Sequence, residues 1–160
     1  MEKLPLTNSK KNKIKSKKHN QWIRHKSYKN DTEDLVNLGQ FLRDVFGKNL
    51  RVEREWCVFY KDDILLGVGK NMPEDRICRF KTPDLMLINN NTNNLICCVE
   101  LDGKVHDTVA FGNTLDRNEL YETLGIPLVV LNKSTMEVSM FDDCYNKVEP
   151  FVSREKLNAE

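Results

Sequence analysis

The chain reads as an α/β protein in which a mixed sheet is flanked by helices. Three observations carry this reading. Leu35, Leu38, Phe41, Leu42 and Val45 recur at helical spacing after an acid-rich start. Two apolar runs, residues 84–88 and 95–99, are joined by Asn89-Asn90-Asn91-Thr92-Asn93-Asn94, and short β-forming runs bounded by turn residues are strands. A polar helical stretch over 113–124 ends at Gly125 and leads into Ile126-Pro127-Leu128-Val129-Val130-Leu131. Strands interleaved with helices bury their apolar faces as stacked layers.

The elements follow in order. Residues 1–30 form a basic arm, treated below. The body, residues 31–160, is one domain. Asp31 or Thr32 caps the first helix, Glu33 and Asp34 sit in its first turn, and Gly47 closes it. Glu33 reads as a cap acid. Residues 49–60 begin by alternating and end apolar, which predicts one strand; Lys61-Asp62-Asp63 is a turn signal, and Ile64–Val68 returns as another strand. Residues 69–81 read as a loop whose Lys70, Arg76, Arg79 and Lys81 face solvent or nucleic acid. The Asn-rich segment tolerates hairpin turn conformations. Gly125 stops the helix over 113–124, with Pro127 just beyond, and Asp116 and Arg117 read as part of its exposed face. Residues 126–131 are a buried strand. From Phe141 to Leu157 the chain is polar and only modestly amphipathic, a final helix or an irregular tail.

Charge is distributed unevenly. Residues 1–30 hold ten basic residues against the single acid Glu2, a net of +9, so the other 130 residues, with 15 basic and 23 acidic groups, carry −8. Residues 8–19 have almost no apolar content and cannot bury a core, so the arm is expected to be disordered when free. Its Lys10, Lys11, Lys13, Lys15, Lys17, Lys18, Arg24 and Lys26 suit a phosphate backbone, whose neutralisation releases counterions. Trp22 and Tyr28 lie among these charges and can stack on bases. Charge alone cannot read sequence, and the same composition serves a solubilising tail or an import signal. DNA is the expected partner.

Other classes are excluded by composition. No run of about 18 apolar residues exists, so no transmembrane helix is expected, and the first residues lack the apolar stretch of a secretory signal. The five Cys are an odd number without a CxxC pair, which excludes both a disulfide framework and structural zinc. Cys97 and Cys98 lie in an apolar strand, where Cys acts as a small hydrophobe. A reducing compartment follows: the cytoplasm, or the nucleus of a eukaryotic cell. A homodimer is compatible with the sequence but not indicated by it.

The chemistry concentrates in Glu100-Leu101-Asp102-Gly103-Lys104-Val105-His106-Asp107, directly after the apolar run 95–99. Acids at the end of a buried strand are costly unless paired, and a divalent cation is a common partner for clustered carboxylates. Residues two apart on a strand face the same side, so Glu100 and Asp102 project together. Hairpin pairing brings Asp84, at the start of the preceding strand, near Glu100. Asp84, Glu100 and Asp102 are therefore expected to converge on Mg²⁺, with Mn²⁺ equally acceptable to oxygen ligands. Asp102-Gly103 is also an ordinary turn dipeptide, so the acid pair gains its meaning only together with Asp84 and His106.

Thr82-Pro83-Asp84, followed by an acid and a further polar group, resembles the PD-(D/E)XK nuclease superfamily. The finer pattern Glu100-x-Asp102-Gly103-x-x-His106 is similar to one branch, the very-short-patch-repair-like endonucleases, which include the EDxHD homing endonucleases. The resemblance extends over residues 80–132, through Asp116-Arg117-Asn118-Glu119-Leu120, Gly125 and the strand after it. It implies a restriction-endonuclease-like fold and metal-dependent cleavage of DNA. One position departs: two residues after Glu100, where the superfamily has Lys, stands Asp102. Two registers therefore fit, Glu100 with Asp102 as the acid pair and His106 handling protons, or Asp102-Gly103-Lys104 as the acid-x-Lys unit with Glu100 beside it. The downstream His and Gly fit the first.

Phosphodiester hydrolysis assigns the roles. Asp84, Glu100 and Asp102 hold the metal, which polarises phosphate and activates water. His106, with an unperturbed pKa of about 6.5, accepts a proton. Lys104 contacts the scissile phosphate as a point charge, and Asp107 or Asp116 orients His106. The expected activity is hydrolysis or nicking of DNA by an endonuclease. The alternatives are a nuclease-like protein that binds nucleic acid without cutting it, and a nuclease acting on RNA or branched DNA.

Overall fold

The computed structural model describes residues 31–71, 78–102, 111–132 and 138–157. Helix α1 (Asp31–Phe46) precedes strands β1 (Leu50–Glu53), β2 (Cys57–Lys61), β3 (Ile64–Gly69), β4 (Arg79–Lys81), β5 (Leu85–Asn89) and β6 (Leu95–Asp102). Helix α2 (Phe111–Leu124), strand β7 (Leu128–Asn132) and helix α3 (Met140–Glu155) complete the order. The expected α/β mixed sheet with flanking helices is present. Its four strands run in the order β1-β5-β6-β7. The first three pair antiparallel and β7 pairs parallel to β6, because a helical crossover is the connection that returns a chain to a parallel neighbour.

The expected single strand over 49–60 is two strands in different sheets. Arg54, Glu55 and Trp56 interrupt it, with Glu55 in the left-handed region at φ 64°. β1 joins the mixed sheet, whereas β2 pairs with β3 and β4 in a separate three-stranded sheet. Residues 79–81, read as loop, form the short strand β4.

The mixed sheet is covered on both faces. Leu85 and Leu87 of β5 and Cys97, Val99 and Leu101 of β6 face one core with Leu38, Phe41 and Leu42 of α1 and Phe141, Cys144 and Val148 of α3. Phe41 meets Phe141 with ring centroids 5.2 Å apart. On the opposite face, Met86, Ile88 and Cys98 pack with Val58 of β2, Tyr121 of α2 and Ile126. This two-sided burial explains why β5 and the start of β6 read as continuous apolar runs instead of alternating ones.

The helix ends obey local rules. At φ 93° Gly47 takes the left-handed conformation that ends α1, its N–H donating to the Arg43 carbonyl at 2.9 Å; Gly125, at φ 74°, ends α2 in the same way. Ser139 caps α3, its hydroxyl accepting from the Asp142 N–H at 3.1 Å. The residues from 141 onward are thus helical despite Pro150. That proline lies on the exposed side of α3, where solvent can satisfy the freed carbonyl, while Val148 and Val152 anchor the other side in the core.

The Asn-rich turn lies at the end of the β5–β6 hairpin away from the acids. Asn89 is buried, accepts the Asn91 N–H on its side chain at 2.9 Å, and donates to Glu155 at 3.2 Å. Asn93 takes φ 62°. Asn is the residue that both tolerates that conformation and bonds the backbone locally.

Candidate active site

The hairpin register decides the site. Leu85 pairs with Val99, so the next step along the ladder sets Asp84 opposite Glu100. Asp84 is fixed further by accepting the Leu101 N–H at 2.7 Å. Glu100 and Asp102 alternate with Leu101, which points into the core shared with α1 and α3. The two acids therefore lie on the α2 side of the sheet, with Cys98 and Met86.

The electrostatics of Glu100 are unusual for an acid. Burial is the main cause that pushes its carboxyl up, to about 8, and the nearby Asp84 charge, a hydrogen bond with the Asp84 side chain and the Asp102 charge push the same way. Arg117 opposes them. Burial first, and the facing Asp84 carboxylate second, thus favour the protonated form of Glu100, and a divalent cation would relieve both. Mg²⁺ uses one or two carboxylates together with waters and substrate phosphate, and the pair Asp84–Glu100 fits that demand.

Asp102 is placed differently from expectation. It is 4% exposed, and both its oxygens accept from Arg117, Oδ1 from Nη1 at 3.0 Å and Oδ2 from Nη2 at 3.2 Å. Nη1 also lies 4.0 Å from Glu100 Oε2. A bidentate guanidinium occupies the lone pairs that a metal would use. Among the described residues no group of three or more His, Cys, Asp and Glu side chains is gathered to hold a metal ion. Asp84 and Glu100 meet, and Asp102 is the third carboxylate of the cluster but is neutralised by Arg117.

The exposed-face reading of α2 holds for Asp116 and fails for Arg117, whose side chain is 15% exposed. Burial alone would lower the Arg117 pKa, but Asp102 and Glu100 outweigh it and the net shift is upward. Glu33 is exposed, and it is Asp34 that is fully buried in the first turn of α1. Lys104, His106 and Asp107 lie outside the described residues, as do the arm residues Lys10, Lys11, Lys13, Lys15, Lys17, Lys18, Arg24 and Lys26.

Tyr121 was not singled out from the sequence. It is 1% exposed, and its hydroxyl finds no hydrogen-bond partner among the described residues. Burial, with the nearby Cys98 thiol and the Glu100 carboxyl, pushes its pKa upward. The signal was present: Arg117, Tyr121 and Leu124 recur at i, i+4 and i+7, the spacing of one helix face. Cys98 beneath the site is pushed up to about 12 by burial first and by Glu100 second, so its thiol stays protonated.

No family model, curated protein or solved structure matches this chain. Of its helices, none of those described is long and apolar enough to cross a membrane.

Proposed function

We propose that this protein is a metal-dependent endonuclease that hydrolyses or nicks DNA phosphodiester bonds. The observation that carries the reading is the facing pair Asp84–Glu100, one acid just before β5 and the other on β6, with Glu100 pushed up to about 8. Such a pair is destabilised as a dianion and relieved by a divalent cation. Asp84 and Glu100 would hold Mg²⁺ or Mn²⁺, with Asp102 beside them. The bound ion would supply Lewis acidity toward a phosphate oxygen and lower the pKa of a water. Arg117 holds Asp102 in place and keeps positive charge at the mouth of the acid cluster. In this reading His106 takes the proton and Lys104 meets the phosphate, as the resemblance to the very-short-patch-repair-like branch implies, and the basic arm holds the DNA backbone.

A second reading has one observation in its favour. The closed Asp102–Arg117 pair is what a nuclease-like protein that binds without cutting would retain. Cleavage of supercoiled plasmid, linear duplex, single strands, RNA and a four-way junction, with Mg²⁺, Mn²⁺ or EDTA, separates the two. Metal-dependent cutting that Glu100→Ala abolishes, with DNA affinity nearly unchanged, supports the nuclease. Tight binding without cutting in any metal supports the second reading, and cutting that survives Glu100→Ala makes the site assignment wrong.

A further inference from the structure

We infer that the outer edge of β3 is a self-pairing surface, through which two copies of this chain join antiparallel. The three-stranded sheet runs β3-β2-β4, so among the described residues β3 has a neighbour on one side only. Natural edge strands are guarded by charge, proline, shortness or a β-bulge; β3 carries a bulge at Leu66, which lies unpaired between Leu65 opposite Tyr60 and Gly67 opposite Phe59, but not the other guards. β3 reads Ile-Leu-Leu-Gly-Val-Gly, with no charged residue and no proline. Ile64, Leu65 and Leu66 are 66%, 37% and 47% exposed. Its backbone edge and its side chains are thus both open to a partner.

Two details point to a second copy as that partner. A Cβ added at Gly67 or Gly69 would meet nothing within 4 Å, and neither residue sits in the left-handed region. Nothing in the described fold requires glycine at either position. Secondly, the ends of β3 differ in charge: the Asp62–Asp63 turn precedes it and Lys70 follows it. Antiparallel pairing sets each acidic turn beside the other copy's lysine, whereas parallel pairing sets like against like.

Symmetry narrows the register. A two-fold axis normal to the sheet requires facing residues to share a side of the strand, and the bulge at Leu66 puts Leu65 and Val68 on one side and Ile64, Gly67 and Gly69 on the other. Centring the axis at the bulge sets Leu65 opposite the partner's Val68 and Ile64 opposite the partner's Gly69, and brings the Asp62–Asp63 turn toward the partner's Lys70. Each long side chain then faces a smaller one, and the apolar strip is covered along its length. The two three-stranded sheets become one continuous sheet. This inference does not rest on the nuclease reading.

Sedimentation of the full chain over a range of concentrations tests it, together with hydrogen exchange of the β3 amides. A monomer–dimer equilibrium is expected, with protection of β3 rising with concentration while β4 stays constant. Leu66→Lys places two ammonium groups beside the two-fold axis and should weaken the dimer roughly ten-fold or more, with an unchanged far-ultraviolet spectrum. Lys70→Glu and Asp63→Lys should each weaken it, and mixing the two variants should restore association as a heterodimer. A chain that stays monomeric, or a dimer indifferent to Leu66→Lys and to the charge variants, overturns the inference. So does β3 protection that is independent of concentration, which would mean that another segment of the same chain covers the edge.

Discussion

Arg117 of α2 grips Asp102 at the end of β6 through two hydrogen bonds, 3.0 and 3.2 Å long. The contact ties the crossover helix to the strand that carries the acids. It also sets the charge balance of the site, since Arg117 is the cation that works against the upward shift of Glu100.

Removing one member of this pair should cost more than removing both. Arg117→Ala leaves a buried carboxylate unpaired, at a cost of about 3 kcal/mol. The double variant Arg117→Ala/Asp102→Asn should recover a large part of that loss. Urea unfolding of the four proteins in the cycle measures the coupling. Additive losses would mean that the ion pair contributes nothing of its own.

Glu100 makes stability depend on pH in a defined direction. Its folded-state pKa of about 8 lies above its ordinary 4.5, so between these values the native state holds a proton that the unfolded state has released. Metal-free stability should therefore fall as pH rises from about 4.5 to 8 and level off above, by a few kcal/mol in order of magnitude. Glu100→Gln should flatten this slope. Thermal unfolding at pH 5 and pH 8 reads it, and Mg²⁺ should raise the Tm more at pH 8, where it replaces the proton.

Tyr121 carries a buried hydroxyl with no partner among the described residues. An unsatisfied buried hydroxyl costs about 1–3 kcal/mol, so Tyr121→Phe should leave stability unchanged or raise it by about 1 kcal/mol. Chemical denaturation checks this. A clear loss of stability would show that the hydroxyl is engaged.

The acid pair should be unequal to its isosteres. Asp84→Asn removes a charge but keeps an acceptor for the Leu101 N–H, so it should fold normally while metal-dependent cutting falls by at least about 100-fold. Circular dichroism and plasmid nicking together read the outcome. Asp84→Asn cutting as the unchanged protein does would remove Asp84 from the site.

Deleting residues 1–29 should weaken DNA binding strongly at low salt and make affinity less salt-dependent, because each lost phosphate contact lowers the slope of log K against log salt by about 0.9. Binding titrations at several salt concentrations measure the slope. An unchanged slope would exclude the arm as a DNA contact.

Much of this molecule is local and was therefore legible. The helical spacing from Leu35 to Val45, the Asn turn, Gly47 and Gly125 all act within a few residues of themselves. The meeting of Asp84 with Glu100 was readable as well, since a hairpin whose turn is identified has few registers open to it. What the sequence alone determined was the α/β mixed sheet, its hairpin and the strand end where the acids stand. Tertiary structure decided the rest. It broke residues 49–60 between two sheets, because the strand's two halves bury against different partners. It settled residues 140–155 as one helix despite the internal Pro150, by packing Phe141, Cys144 and Val148 against α1 and the sheet. It turned Arg117 inward onto Asp102 and so divided three similar carboxylates into a facing pair and a neutralised third. Spacing along one chain states which residues share a face; only packing between elements states which charge meets which.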